Sequence, residues 1–377
     1  MTLGPYGSGP LGGQPTLLGG WLARIHVDVP LLTGLLLLSG FGLVILYSAS
    51  GQDWDQVEKQ AVRLLLAFGV MLVVAQIPPA RLRHWSPAIY GVAVVLLVLV
   101  LLLGDIGKGA QRWLDLGILR FQPSEIAKLG VPMMVAWLLG SAPLPPTWRR
   151  LLVGGALTVV PVLLIAKQPD LGTALLVTSA GAAVLFFSGM SWRLIGGLLA
   201  LLAAAMPVAW TLLHDYQRQR VITFLDPERD PLGAGYHTIQ AKIAIGSGGI
   251  YGKGWLNGTQ SQLEFVPEKH TDFIFAVFAE EFGLVGVASL LVLYAVIVIR
   301  GLYIATQAQD SFSRLLAGAL TFVFFVYAFV NVGMVIGVLP VVGVPLPLVS
   351  YGGTSLVTLM AGFGILMSAH THRKMMT

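Results

Sequence analysis

From residue 31 to residue 370 the chain alternates long apolar stretches with short polar breaks. Ten stretches can be drawn, approximately at 31–48, 61–77, 86–103, 125–141, 151–167, 171–189, 194–213, 273–299, 314–339 and 355–370. Most approach the ~20 residues that a helix needs to cross the hydrocarbon core of a bilayer. The fourth, fifth and tenth are short, and polar motifs begin at their ends. The pattern predicts an all-α integral membrane protein with ten transmembrane helices, and an even number of spans puts both termini on one side. One connection is long, residues 214–272 between the seventh and eighth spans. Connections of that length carry function or structure of their own. Within it Ile239, Ile243 and Ala244 recur at helical spacing, which predicts an interfacial helix over Tyr236–Ile245. Residues 1–25 read as a flexible tail, Gly- and Pro-rich over most of its length, with no signal-peptide pattern, leaving 26–377 as a single membrane domain.

Composition agrees. Of 377 residues, 56% are hydrophobic and 11% charged, whereas a soluble domain carries about 25% charged residues. Too little charge remains to cover a globular surface, which argues against a soluble enzyme and against a disordered scaffold. The absence of Cys excludes disulfides, thiolate metal sites and thiol catalysis. The net charge of +5 needs no nucleic acid to explain it, because inner loops of membrane proteins are ordinarily basic. With the amino terminus inside, the inner segments hold Arg24, Arg81, Arg83, Arg149, Arg150, Arg193, Arg300, Arg314, Arg373 and Lys374, against only Asp28 and Asp310. Both termini are therefore expected in the cytoplasm and the long connection outside it.

An ionisable residue at membrane depth marks function by default, and here such residues collect at the outer ends of spans. In Ala110–Lys128, Pro123, Ser124 and Glu125 suit a helix start, and Glu125 and Lys128 lie on one face, able to pair. Trp113, with Leu114, Leu116 and Ile118, suggests a piece lying in the interface. Between the fifth and sixth spans, Lys167-Gln-Pro-Asp170 reads as a tight turn, although a turn does not need a Lys, and the two charges suit an anionic headgroup or a metal. Asp272 stands at the mouth of the eighth span. It could cap that helix or act as a general base or metal ligand. Glu280 and Glu281 lie two turns deeper, and at least one needs a buried partner. The run Gly246–Gly254 could bring backbone N–H groups to phosphate, but it matches no nucleotide fingerprint. Pro340–Ser355, rich in Pro and Gly, can lie near membrane depth only by packing on protein or lining a cavity.

Five segments carry a resemblance: Arg120-Phe-Gln-Pro-Ser-Glu-Ile-Ala-Lys128, Lys167-Gln-Pro-Asp-Leu-Gly-Thr173, Gly246-Ser-Gly-Gly-Ile-Tyr-Gly-Lys-Gly-Trp255, Pro267-Glu-Lys-His-Thr-Asp-Phe273 through Gly283, and Asn331 through Ser355. In this order they resemble the SEDS family of bacterial cell-envelope proteins, which serve elongation, division and sporulation. The likeness covers nearly the whole chain after residue 25. Arg112-Trp-Leu-Asp-Leu-Gly117 before the first of these segments looks closer to the elongation branch.

The resemblance implies a ten-helix glycosyltransferase of the bacterial cytoplasmic membrane that polymerises lipid II at the outer face. It would work beside a class B penicillin-binding protein that cross-links the product. Carried over position by position, it makes Asp272 the catalytic carboxylate. Arg112, Trp113, Arg120, Gln122, Lys128, Lys167 and Lys269 are then expected to contact substrate. Glu125, Asp170 and Asp272 become candidate ligands for a divalent ion, Mg or Mn. Two other functions fit a ten-helix path, a lipid II flippase and a scaffold that activates a transpeptidase. Against the flippase, the inner halves of most spans are apolar. Against the scaffold, Asp272 would have no task.

Overall fold

The computed structural model describes residues 26–107, 110–115, 120–212, 218, 222, 234–263 and 268–372. The amino-terminal tail, Leu116, Ile118, most of the first half of the long connection, and Arg373 and Lys374 lie outside the described residues. In chain order the helices are α1 (Val29–Ala49), α2 (Trp54–Ala75), α3 (Pro79–Leu103), α4 (Ser124–Leu139), α5 (Trp148–Lys167), α6 (Leu171–Phe187), α7 (Trp192–Leu212), α8 (Ala234–Gly248), α9 (Thr259–Gln262), α10 (Ile274–Thr306), α11 (Ser311–Val335) and α12 (Thr354–Thr371). Each of the ten apolar stretches falls on one of these helices. By length and composition, α1, α3, α5, α10, α11 and α12 are long and apolar enough to cross a membrane.

Four helices open on an aspartate that accepts a backbone N–H of the first turn. Asp28 accepts from Leu31, Asp53 from Asp55, Asp170 from Thr173 and Asp310 from Ser313, at 2.9–3.1 Å. Each such cap is worth about 1 kcal/mol. α11 is the central post, buried along most of its length through Leu315, Phe324 and Met334, and it packs on α4, α6, α10 and α12. α12 runs along α2, and α1 lies against α10. α7 is different. Its described side chains are exposed almost throughout, Trp192 and Met206 among them.

At one end of the bundle α1, α10 and α12 are tied together. Arg300 and His370 both reach Asp28 Oδ2, at 2.6 Å and 3.0 Å. Beside them the rings of His26 and His372 stack at 3.8 Å.

α10 is interrupted. Gly283 has φ 61° and ψ −163°, a backbone that L side chains resist. The hydrogen bonds lost at the break are replaced from the glycine run after α8. Lys253 and Gly254 donate N–H to the carbonyls of Glu280 and Glu281, and Leu284 and Val285 donate to those of Gly249 and Ile250. The approach is close enough that a Cβ on Gly252 would stand 2.1 Å from the Glu281 carbonyl oxygen. The glycine run is thus a backbone splice, with the Lys253 and Gly254 N–H groups committed to α10 and that of Gly252 to the Gly248 carbonyl. Both expected acids have partners there. Glu280 accepts from Lys253 Nζ at 2.7 Å, and Glu281 accepts from the Ser48 hydroxyl.

The predicted helix at Tyr236–Ile245 is α8, packed on α10. The piece around Trp113 is not helical. Residues Ala110–Asp115 form a strand, β2, between β1 (Asp105–Gly107) and β3 (Arg120–Phe121), both antiparallel to it. What makes this stretch a strand is its pairing with β1 and β3, which satisfies its backbone groups, so the all-α expectation gains a small three-stranded sheet. The segment from Pro340 to Ser350 is irregular and packs on protein, with Val344, Leu346, Leu348 and Val349 buried.

Candidate active site

The capping position of α10 is Phe273, so Asp272, one residue earlier, does not occupy the cap. Asp272 is half-buried, and its segment is fixed from two sides. Asn331 on α11 donates Nδ2–H to the Asp272 carbonyl at 2.9 Å and to the Val344 carbonyl at 2.8 Å. Ser350 donates its hydroxyl to the Thr271 carbonyl at 2.6 Å, and Tyr351 donates N–H to that of His270 at 2.9 Å. Gln60 on α2 clamps the same stretch, donating to the Ser350 carbonyl and accepting from Gly352 N–H. Gly343, at φ 71°, turns the chain beside the carboxylate. A Cβ there would lie 3.6 Å from Asp272 Oδ2.

Across this segment lies the opening of α6. A Cβ on Gly172 would stand 2.5 Å from the Val342 carbonyl oxygen, so α6 and Asp272 flank the consecutive residues Val342 and Gly343. Asp170 is spent on structure: Oδ1 caps α6 and Oδ2 accepts from Gln122 Nε2 at 2.9 Å. Arg112, on β2, donates to the carbonyls of Gln168 and Pro169 and fastens the strand to the turn. Trp113 is half-buried beside it.

One turn into α4, Lys128 pairs with Glu125 at 2.8 Å, both side chains buried. Its Nζ lies 5.4 Å from the Tyr327 ring centroid. Glu125 Oε2 has no hydrogen-bond partner among the described residues. Tyr327 stands between two small cavities. One, of about 30 Å³, is lined by Lys128, Phe324, Thr358 and Phe363; the other, of about 20 Å³, by Pro345, Ser350, Gly352 and Ser355. Each has room for about one or two waters.

The expected residues divide. Gln122, Asp170 and Arg112 meet at one turn, and Glu125 with Lys128 forms a buried pair. Lys167 is exposed at the end of α5, and Lys269 is half-buried. The Arg120 side chain lies outside the described residues. No group of three His, Asp or Glu residues that could hold a metal ion occurs among the described residues. Glu125, Asp170 and Asp272 do not fit a protein-built Mg or Mn cage, because Glu125 faces Lys128 and Asp170 is committed to Thr173 and Gln122. Asn331, Ser350 and Gln60 were not foreseen from sequence. The available signal was Asn331 itself, one of two Asn in the chain and set within an apolar stretch.

Residues 29–375 match the family model of the FtsW, RodA and SpoVE cell cycle proteins. The chain belongs to this family. It is 58% identical over 355 residues to the peptidoglycan glycosyltransferase MrdB of Escherichia coli K12, covering 94% of this chain and 96% of that one. With the MrdB of Helicobacter pylori the identity is 39% over 315 residues, 82% of this chain and 81% of the relative. Among solved structures of the family, the rod shape determining protein RodA of Thermus thermophilus superposes with a TM-score of 0.71 at 31% identity, covering 94% of this chain and all of the other. A chain of a peptidoglycan synthase complex superposes with a TM-score of 0.81 at 36% identity, covering 91% and 97%.

Proposed function

We propose that this family member is a peptidoglycan glycosyltransferase that polymerises lipid II at the outer face of the bacterial cytoplasmic membrane during elongation, crossing the membrane ten times with both termini inside. Its partner is a class B penicillin-binding protein. The observation that carries the reading is Asp272: a half-buried carboxylate that does not sit at the cap of its helix, where four other aspartates do, yet whose backbone is held from two sides.

In this reading a sugar hydroxyl of one lipid II attacks the anomeric carbon of another. Asp272 takes the hydroxyl proton as the new C–O bond forms. The bond from the anomeric carbon to the diphosphate breaks, and the lipid diphosphate leaves with the electron pair. Cations stabilise that leaving charge. Arg112 keeps N–H donors beyond those spent on the turn, and Lys167 and Lys269 are within solvent reach on the same outer segments. Lys128 is neutralised by Glu125 and shapes the wall instead. Glu280 and Glu281 are buried and each is engaged, by Lys253 and by Ser48, which argues against a polar path for a flippase.

The test uses purified protein with labelled lipid II, with and without the class B partner, and reads glycan length on a gel. Wild type is expected to give polymer and Asp272→Ala none, while the variant stays folded, since no cap is lost. Polymer from folded Asp272→Ala overturns the assignment. Polymer from neither protein in the presence of the partner overturns the function.

A further inference from the structure

We infer that Asn331 is a positioning residue for the Asp272 carboxylate, an inference that rests on the proposed role of Asp272. Asn331 is fully buried, at 0% exposure, within an otherwise apolar stretch of α11. Its Nδ2 donates to two backbone carbonyls, those of Asp272 and Val344. These carbonyls belong to the two segments that face each other at the site: the one carrying Asp272 and the one that turns at Gly343 beside its Oδ2.

A planar amide holds its two N–H directions at a fixed angle. One side chain therefore sets the spacing between the two segments. Pinning the Asp272 carbonyl also fixes the orientation of its peptide group, and the carboxylate hangs from the same Cα. The other contacts to this segment, from Ser350 and Tyr351, grip Thr271 and His270. The amide is also kept at a cost. Asn331 Oδ1 is buried without a hydrogen-bond partner among the described residues, and each such group in a native protein calls for an explanation. A purely space-filling position on α11 would be served better by Leu. An amide that orients the reacting carboxylate accounts for its presence.

The experiment compares Asn331→Leu, Asn331→Ser and Thr321→Val with wild type in the complete complex, measuring initial polymerisation rates at several lipid II concentrations. Thr321 is a buried hydroxyl on the same helix whose hydrogen bond stays within it and whose side chain packs on Gly301 of α10, so its variant reports a loosening of α11 and of its seam with α10. Rates are normalised to monodisperse, folded protein. Asn331→Leu is expected to lower kcat about 10- to 100-fold with KM changed less than about twofold. Asn331→Ser, which can keep one of the two bonds, should fall between Leu and wild type, and it serves in place of Leu if the Leu variant does not fold. Thr321→Val should keep the wild-type kcat.

Wild-type kcat in folded Asn331→Leu overturns the inference, as does a rise in KM with kcat unchanged. A fall in kcat matched by Thr321→Val overturns it too. Asp272→Asn is measured alongside. If Asp272→Asn polymerises, the catalytic reading of Asp272 falls first and the role of Asn331 falls with it. If Asp272→Asn is dead while Asn331→Leu runs at the wild-type rate, only the inference about Asn331 is lost.

Discussion

Lys128 Nζ stands 2.8 Å from Glu125 Oε1, and neither side chain is more than 7% exposed. Removing one partner of a buried pair strands the other charge, at a cost of about 3–5 kcal/mol. Glu125→Gln and Lys128→Met should each lower thermal stability sharply. The double variant should recover most of the loss, because no net charge is left buried. Melting curves of the four purified proteins decide this, and additive losses in the double variant would show that the pair is not acting as a unit.

The splice at Gly283 makes a second prediction. A Cβ at this position would meet Gly252 N at 2.3 Å and the Ile250 carbonyl oxygen at 2.7 Å. Gly283→Ala should therefore cost more than about 2 kcal/mol, from strain at positive φ and from separating the two backbones. Gly246, on α8, has nothing within 4 Å of the place a methyl would take, and should gain up to about 1 kcal/mol from the same change. Opposite shifts in melting temperature are the expected outcome. Equal shifts would place the glycine requirement elsewhere.

Asp170 separates two roles by chemistry. Asn caps a helix about as well as Asp, and Gln122 can present its carbonyl to the new amide after a flip. Asp170→Asn should keep melting temperature and most of the polymerising activity, while Asp170→Leu should lose both. A folded Asp170→Asn protein with no activity would show that the negative charge itself is needed, as a metal ligand would require.

At the end where α1, α10 and α12 meet, burial pushes the Asp28 carboxyl up. His370, the Arg300 guanidinium and the Leu31 N–H outweigh it and hold the group well below the usual carboxylate range. That contribution is present above the unfolded pKa and disappears only in strong acid. His26 is lowered from 6.5, by burial first and then by the stacked His372. The unfolded chain takes up that proton at higher pH than the folded one, so stability falls as pH drops through about 6.5. Stability should decline between about pH 7.5 and about pH 5.5, and His26→Phe should flatten the decline. A pH profile unchanged by that substitution would remove His26 as its source.

Most of the helical framework was legible because a long apolar stretch has few other solutions, and polar motifs marked where each stretch ended. The Glu125–Lys128 pair was legible for a similar reason: three residues on a helix puts two side chains on one face. What escaped was information carried between distant segments. Nothing local in Gly248–Gly254 says that its backbone pairs with a break at Gly283, so from sequence the glycines offer only a phosphate contact with no nucleotide fingerprint behind it. Ala110–Asp115 has no period-2 alternation to mark it as a strand, and its pairing with Asp105–Gly107 and Arg120–Phe121 shows only in three dimensions. Asn331 reads as one polar residue in an apolar run until Asp272 and Val344, 59 and 13 residues away, are seen to share it.

The splice also bears on how the chain is made. The carbonyl and N–H groups opened by the break in α10 have no partners within that helix, and hydrocarbon supplies none. Their partners, Gly249 to Gly254, precede the break in the chain. A protein synthesised from its amino terminus therefore has the patch in hand before the helix that needs it emerges. A circular permutant that delivered α10 first would have to hold an open helix in the bilayer until its own glycines arrived.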